Sequence, residues 1–414
     1  MNSATPKVLQ PLAGAPMLEF VLQSLAELSQ PPAVNALVVG YGADKVLASL
    51  DKLAAPIRER LSLTPLRQEP QLGTGHAVQM AAHAFDSVAQ QDGDVLIVLG
   101  DVPLIRAATL ERFLAHHREQ AAAATMLTMQ VADPSGYGRV VRDELGMLAE
   151  VVEHKDASGS VARINEVNTG IFAFRAQALL EALPELSNDN AAGEYYLPDV
   201  LPWLLQRGQR CSALLAQDSL EVQGVNTRKQ QAAADAALRE RILDELMEAG
   251  VHIVDPANTY IEAGVEIGTD TTVHPFTVIR RGVRIGAGCD VGPFAHVRAG
   301  TVLEDTAELG NFCEAKKATL GPHSKAKHLA YLGDVTVGEG SNIGAGTVIC
   351  NYDGEHKHHT EIGDGVFIGS GSMIVAPRKI ADGGRTGAGA VVTKDVEPGV
   401  TVAGVPAKPL KRKE

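Results

Sequence analysis

The stretch IEAGVEIGTDTTVHPFTVIRRGVRIGAGCDVGPFAHVRAG, residues 261–300, carries an aliphatic side chain at every sixth position. The series runs Ile261, Ile267, Val273, Ile279, Ile285, Val291 and Val297, then Leu303 and Leu309 to Ala315. Neither the alternation of a half-buried strand nor the period of a helix generates that spacing. Four residues after each member comes a second, generally small position: Val265, Thr271, Thr277, Val283, Cys289, Ala295, Thr301 and Ala307. Two columns therefore point inward. A parallel β-helix meets both demands, with one short strand per hexad, three hexads per triangular coil, and Gly or small polar residues at the corners.

The phase slips near Ala315, resumes through Leu320, Ala326 and Leu332, slips again at Val337, and continues at Ile343 and Ile349. A last run is Ile362, Ile368, Ile374, Ile380, Thr386 and Val392, and the intervening NYDGEHKHH, 351–359, is expected to leave the path as a loop. The repeat resembles that of the hexapeptide-repeat transferases. That resemblance implies a left-handed coil, a trimer, and acyl-CoA sites between neighbouring subunits; spacing alone does not give the hand, because parallel crossovers are normally right-handed.

Ahead of the repeat, apolar strands alternate with Ala- and Leu-rich helical stretches, as in ALVVGYG at 36–42 and VLIVLGDVPL at 95–104. This is an α/β, Rossmann-like pattern, in which runs such as Val95 to Leu99 suit strands buried on both faces and ligands bind beyond the strands' carboxyl ends. Between the halves, TRKQQAAADAALRERILDELMEAG, 227–250, sets Leu238, Ile242, Leu246 and Met247 on one helical face with Gly250 as a stop. The expected organisation is thus 1–226 α/β, 227–250 linker helix, 251–405 β-helix and 406–414 basic tail.

Composition narrows the function classes. The 414 residues carry 37 basic and 50 acidic side chains, a net charge of −13, so the average surface repels nucleic acid and anionic membrane. With no long apolar run and no secretory layout at the start, the expectation is a soluble, cytoplasmic protein. Four cysteines lack the paired spacing of a zinc site and are read as reduced thiols. The interleaved tract His356, Lys357, His358 and His359 likewise reads as an exposed loop.

In the first half, QEPQLGTGHAV at 68–78 sets glycines around a Thr just before a helix, a geometry open to close backbone approach by a nucleotide or simply to a tight turn. Asp101, after a buried strand, suits a hard divalent cation or a turn cap. GYGRVV at 136–141, EVVEHKDAS at 150–158, INEVNTGIFAF at 164–174, GEYYLPD at 193–199 and VQGVNTR at 222–228 follow in order after PKVLQPLAGAPML at 6–18. Together these resemble the bacterial family of bifunctional N-acetylglucosamine-1-phosphate uridyltransferases and glucosamine-1-phosphate acetyltransferases, over nearly the whole chain. The resemblance implies that Gln68, Gly73 and Thr74 contact uridine and that Gly138, Glu153 and Asn168 hold N-acetylglucosamine. It further implies that Asp101 and Asn226 bind Mg2+ and that Lys7 meets the phosphates. Met1 aligns with the Met that ends the family's opening Gly-rich loop, LAAGxGTRM. Lacking that loop's cradle and arginine, these 414 residues are expected to show weak or absent uridylyl transfer, and the strands beside the absent one are expected to have open edges.

The densest polar residues of the repeat surround the two slips: HVRAG at 296–300, GNFCEAKKA at 310–318, KAKHLAYLGD at 325–334, SNIGAG at 341–346 and CNYDGEHKHH at 350–359. Acetyl transfer from a thioester to an amine needs a base, cations for a sugar phosphate and donors for an oxyanion, and all three kinds are present. The resemblance makes His328 the base, with Glu314 orienting it. Arg298, Lys316, Tyr331, Asn342 and Lys357 become the glucosamine-1-phosphate groups, and Asn351, Tyr352, Ser370 and Ala388 the acetyl-CoA side. Near Gly404, where family members can carry an arginine beside the coenzyme, this chain has Lys408 as a substitute.

The implied protein is a homotrimer acting on acetyl-CoA, glucosamine-1-phosphate and UTP, with Mg2+ at the uridyltransferase site, and supplying UDP-N-acetylglucosamine for cell-wall polymers. A second enzyme reading keeps the nucleotidyltransferase and uses the β-helix for assembly or regulation. A pure scaffold is a third reading, disfavoured by the absence of an ordered outward Thr ladder.

Overall fold

The computed structural model describes all residues except Asn2, Leu145, Ala191 and 411–414, so the end of the basic tail lies outside the described residues. The chain divides into two compact units, one formed by Met1–Leu12 and Pro16–Ala234, the other by Ala13–Ala15 and Asp235–Glu414.

The second unit is the parallel β-helix that the six-residue period demands. One face stacks His252–Ile253, Thr272–Val273, Asp290–Val291, Glu308–Asn311, Lys325–His328, Asn342–Ile343, Phe367–Ile368, Arg385–Thr386 and Thr401–Ala403 as successive parallel neighbours. The other strands form two further faces. These are linked by two seven-residue strands, Glu314–Leu320 and Tyr331–Val337, that pass a corner unbroken, with Lys317 and Asp334 at φ of 46° and 49°. Ile261, Ile279, Val297 and Ala315 stack in register eighteen residues apart, and all four are fully buried. Each such aliphatic side chain contributes about 1.5–3 kcal/mol through burial.

The phase slips have a structural meaning. Ala315 pairs with Leu332 and Leu309 with Ala326, so these coils hold seventeen residues; the one lost comes from the corner between Ala315 and Leu320, then Leu332 and Val337. Those shortened corners carry Lys316 and Gly333–Asp334. Further on, Ile349 pairs with Ile374 and Val337 with Ile362, and register survives seven additional residues because they leave the coil as the expected loop.

Helix Arg228–Glu248 begins with a reciprocal cap: Gln230 N–H donates to Thr227 Oγ1 (3.1 Å) and Thr227 N–H to Gln230 Oε1 (2.9 Å). It ends where Gly250, at φ 95°, donates to Met247 O and Val251 donates to Leu246 O. Ile242, Leu243, Leu246 and Met247 pack on the β-helix core.

In the first unit the central strand is Glu166–Arg175. It pairs antiparallel with Asp94–Ile97, Ala124–Gln130 and Arg139–Arg142, while Cys211–Leu215 adds to Ala124–Gln130 in parallel. Asn35–Val39 and Leu63–Arg67 form a separate parallel pair. Among the described residues, Asp94–Ile97 and Asn35–Val39 each have one ladder partner, so both keep an open edge, as the N-terminal motifs led us to expect. The run from Val95 to Leu99 corrects the reading as a strand buried on both faces: Val95 is buried, but Leu96 to Leu99 are half-buried, because a strand paired on one side leaves its flank partly uncovered.

Candidate functional site

His328 ends a strand of the first face and stands at a corner of the prism, exposed to solvent. Its cross-coil partner is Asn311, and Nδ1 lies 2.7 Å from Asn311 Oδ1. A carboxamide oxygen only accepts, so this bond puts the proton on Nδ1 and leaves the Nε2 lone pair free, the form a general base needs. The expected orienting group, Glu314, is engaged elsewhere: it accepts from Arg298 Nη1 at 2.7 Å. A small cleft of about 120 Å³ opens beside the ring, lined by Asp290, Glu308, Asn311 and Lys327.

Backbone bonds along this edge fix what stacks above His328. Leu329 N–H donates to Asn311 O (3.0 Å), Gly346 to His328 O (3.2 Å), Gly371 to Ala345 O (2.7 Å) and Gly389 to Ser370 O (2.8 Å). Asn311, His328, Ala345, Ser370 and Ala388 thus occupy one position in five successive coils. At the usual strand spacing Ser370 lies about 10 Å and Ala388 about 14 Å along the axis from His328. The next residue in each coil is left-handed: Phe276, Phe294 and Phe312 below, Leu329 in the coil of His328 itself, then Gly346, Gly371 and Gly389 above, with φ between 52° and 73°. The three phenylalanine rings stack at 4.9 and 5.1 Å and stay about half exposed.

Around the corner from His328 lies a cluster of cations. Arg298, Lys316 and Gly333 share one register column; His296, Glu314 and Tyr331 share the adjacent one. Gly333 has no room for a side chain, since a Cβ there would fall 2.6 Å from Tyr331 Oη and 2.7 Å from Asn351 Nδ2. Asn351, buried, donates to Asp334 Oδ2 at 2.5 Å. The Lys316 ammonium is held below its ordinary value chiefly by its like-charged neighbour Lys357 and also by Arg298, with Asp334 opposing. Neighbouring like charges of this kind are relieved by an anion such as phosphate.

Asn342 and Lys408 lie outside these register columns, and Tyr352 is the bridge partner of Lys357. Asn342 is on the first face, in register with Lys325 and Phe367. Tyr352 is on the inserted loop, its hydroxyl donating to Gly354 O. Lys408 is exposed on a short strand antiparallel to Thr401–Ala403.

The first unit gathers its candidates in three groups. Lys7 Nζ donates to Asp101 Oδ2 and to Asn226 Oδ1, the latter at 2.7 Å. Two hard oxygen donors converging on one cation position fit Mg2+, which takes few protein ligands and completes its shell with water and phosphate oxygens. Gly73, at φ 99°, sits so close to the GEYYLPD segment that a Cβ would meet Tyr195 O at 2.6 Å. Gly75 N–H donates to Tyr195 O (2.7 Å), Thr74 Oγ1 accepts from Leu197 N–H (3.1 Å), and Gln68 Nε2 donates to Gly73 O (2.8 Å). The turn is thus braced by the protein itself. In the third group Asn168 N–H donates to Gly138 O (2.9 Å), and the Glu153 carboxylate is the nearest group to Gly138. Burial, then the charges of Asp199 and Asp156, push the Glu153 carboxyl up, and burial does the same to Asp199.

The family profile described as nucleotidyl transferase matches residues 2–293. The chain is 41% identical to the bifunctional protein GlmU of Shouchella clausii, across 96% of this chain and 91% of that protein. It is 43% identical to that of Pelobacter propionicus, across 96% and 92%, and 41% identical to that of Streptomyces coelicolor, across 96% and 88%. The chain belongs to the GlmU family. The family expected from its motifs is therefore the right one, as are the nucleotidyltransferase unit and the β-helix that follows it. For this GlmU chain, sequence reading overlooked Asn311, Asp334, Asp199 and the phenylalanine edge. A signal existed for two of them: Asn311 lies one shortened coil before His328, and HPF, GPF and GNF recur at eighteen-residue intervals from His274.

Proposed function

We propose that this GlmU-family enzyme acetylates glucosamine-1-phosphate from acetyl-CoA on its β-helix, segment 251–405. Uridylyl transfer from UTP to N-acetylglucosamine-1-phosphate is assigned to segment 1–226, at the weak or absent level expected of these 414 residues without the Gly-rich loop's cradle and arginine, and helix 227–250 follows it in sequence. The observation that carries the first assignment is the His328–Asn311 bond, which leaves Nε2 free as a base, with the Arg298 and Lys316 column on the next face of the same coils. These cations, Lys357 and the Tyr331 hydroxyl hold the sugar phosphate, and Asn342 adds a polar contact. His328 Nε2 takes a proton from the substrate's ammonium, and the freed amine attacks the thioester carbonyl directly. The tetrahedral adduct collapses with loss of the coenzyme thiolate, which takes up the proton shed by the adduct's nitrogen and leaves as the thiol, while the proton first taken by His328 passes to solvent. The bare glycine edge above His328, with Ser370 and Ala388, accommodates the extended coenzyme; Asn351 and Tyr352 flank it, and Lys408 meets its phosphates.

In the α/β unit, Gln68, Gly73 and Thr74 bind the uridine, Gly138, Glu153 and Asn168 the N-acetylglucosamine, and Lys7 the phosphates. Asp101 and Asn226 would hold Mg2+, which supplies charge neutralisation at the phosphoryl oxygens. A homotrimer is supported by the row of half-exposed rings beside His328, an apolar stripe that a second copy would cover. Small anionic substrates and the acidic surface support a soluble enzyme working in the cytoplasm, and no helix among the described residues is long and apolar enough to cross a membrane.

The test is His328→Ala in the full chain. Thiol release from acetyl-CoA with glucosamine-1-phosphate is expected to fall by about 10²–10⁴-fold. Unchanged thiol release would favour a β-helix used for assembly alone.

A further inference from the structure

The inserted loop is a hairpin with an internal clasp. His358 N–H donates to Asn351 O (2.8 Å), Asp353 N–H to His356 O (3.2 Å), and Tyr352 faces Lys357 as an antiparallel bridge. At its tip the Asp353 carboxylate accepts from the N–H groups of Glu355 (2.8 Å) and His356 (2.6 Å) through Oδ1, and Oδ2 is 2.6 Å from His358 Nε2. Asp353 therefore grips the residues on both sides of Lys357. The hairpin's base is tied as well, by Asn351 to Asp334 and by His359 Nε2 to Thr336 Oγ1 at 3.0 Å. Such a clasp is not needed for the β-helix, whose register continues past the insertion.

Lys357 needs restraint. The hairpin is tied through Asn351 to Asp334, next to the Gly333 that pairs with Lys316, so Lys357 is carried toward the like charges of Lys316 and Arg298. An unrestrained lysine would swing into solvent and have to return when phosphate arrives. We infer that Asp353 is a positioning residue for the sugar phosphate, fixing the hairpin so that Lys357 stays against Lys316 before substrate binds. This rests on the acetyltransferase reading above. The hydrogen bonds from His356, His358 and Glu355 also hold the Asp353 carboxyl well below the usual carboxylate range, so the clasp stays charged at neutral pH.

The experiment uses the full chain with acetyl-CoA and glucosamine-1-phosphate. Lys357→Ala comes first: no rise in KM for the sugar phosphate would sink the underlying phosphate assignment rather than the clasp. Given that rise, Asp353→Ala is expected to raise the same KM about tenfold, with kcat and the KM for acetyl-CoA within about twofold. Asp353→Asn, which keeps acceptors for the two backbone N–H groups, is expected to recover most of the loss. In a Lys357→Ala background Asp353→Ala should add almost nothing, because both changes remove one contact. Equal effects in both backgrounds, an unchanged sugar-phosphate KM, or a parallel rise in the acetyl-CoA KM would each overturn the proposal. Should Asp353→Ala fail to fold, the cycle is run with Asp353→Ser, which withdraws the reach to His358, and additivity there overturns it equally.

Discussion

Below and above His328 one edge of the prism follows the same backbone path but carries opposite surfaces. Below, the left-handed position holds Phe276, Phe294 and Phe312, with Leu329 in the coil of His328 itself; above, it holds Gly346, Gly371 and Gly389. Since an L-residue pays for positive φ and Gly does not, the phenylalanines are the costly choice, and they leave a half-exposed apolar stack. The glycines do the reverse and leave bare main chain in reach of a ligand. His328 sits at the boundary. The difference teaches that a repeat fold can give one edge two surfaces, apolar and bare, by changing a single side chain per coil, which is the division that the proposed assembly and coenzyme binding would use.

Extending the aromatic row across the boundary should break that division most severely. Gly371→Phe places a ring on the bare stretch, and its KM for acetyl-CoA is expected to rise by about two orders of magnitude, read by thiol release, while the sugar-phosphate KM holds. Cutting the row, Phe294→Ala loses two ring stacks and is expected to cost about 1–3 kcal/mol, seen as a lower urea midpoint and a dissociated species in sedimentation. At the boundary itself, Asn311→Ala frees the His328 ring; kcat for acetyl transfer should fall about tenfold with KM values nearly constant, the equivalent of one lost hydrogen bond in the transition state. Smallest of all, Ser370→Ala removes one exposed hydroxyl on the bare stretch, and the acetyl-CoA KM should rise about threefold or less. A larger effect from Ser370→Ala than from Gly371→Phe would refute the reading of the edge as a track.

The β-helix was legible because each hexad buries one aliphatic side chain regardless of neighbours, so Ile261 to Val297 announce register directly. Even the slips at Ala315 and Val337 were visible, and they bring Lys316 and Asp334 to shortened corners. What escaped was the side-chain partnership across coils. Glu314 is three residues nearer His328 in sequence than Asn311, yet it pairs with Arg298, because its column belongs to a different face. In the α/β unit, the half-exposure of Leu96 and Ile97 depends on which strands pair with their own, and an apolar run carries no record of that.

The hairpin between Ile349 and Ile362 has a wider consequence. Seven residues enter and leave without shifting the coils on either side, so the solenoid tolerates replacement of this segment as a cassette. Exchanging it for a hairpin bearing acidic or apolar tips in place of Lys357 offers a route to altered acceptor preference on an undisturbed frame.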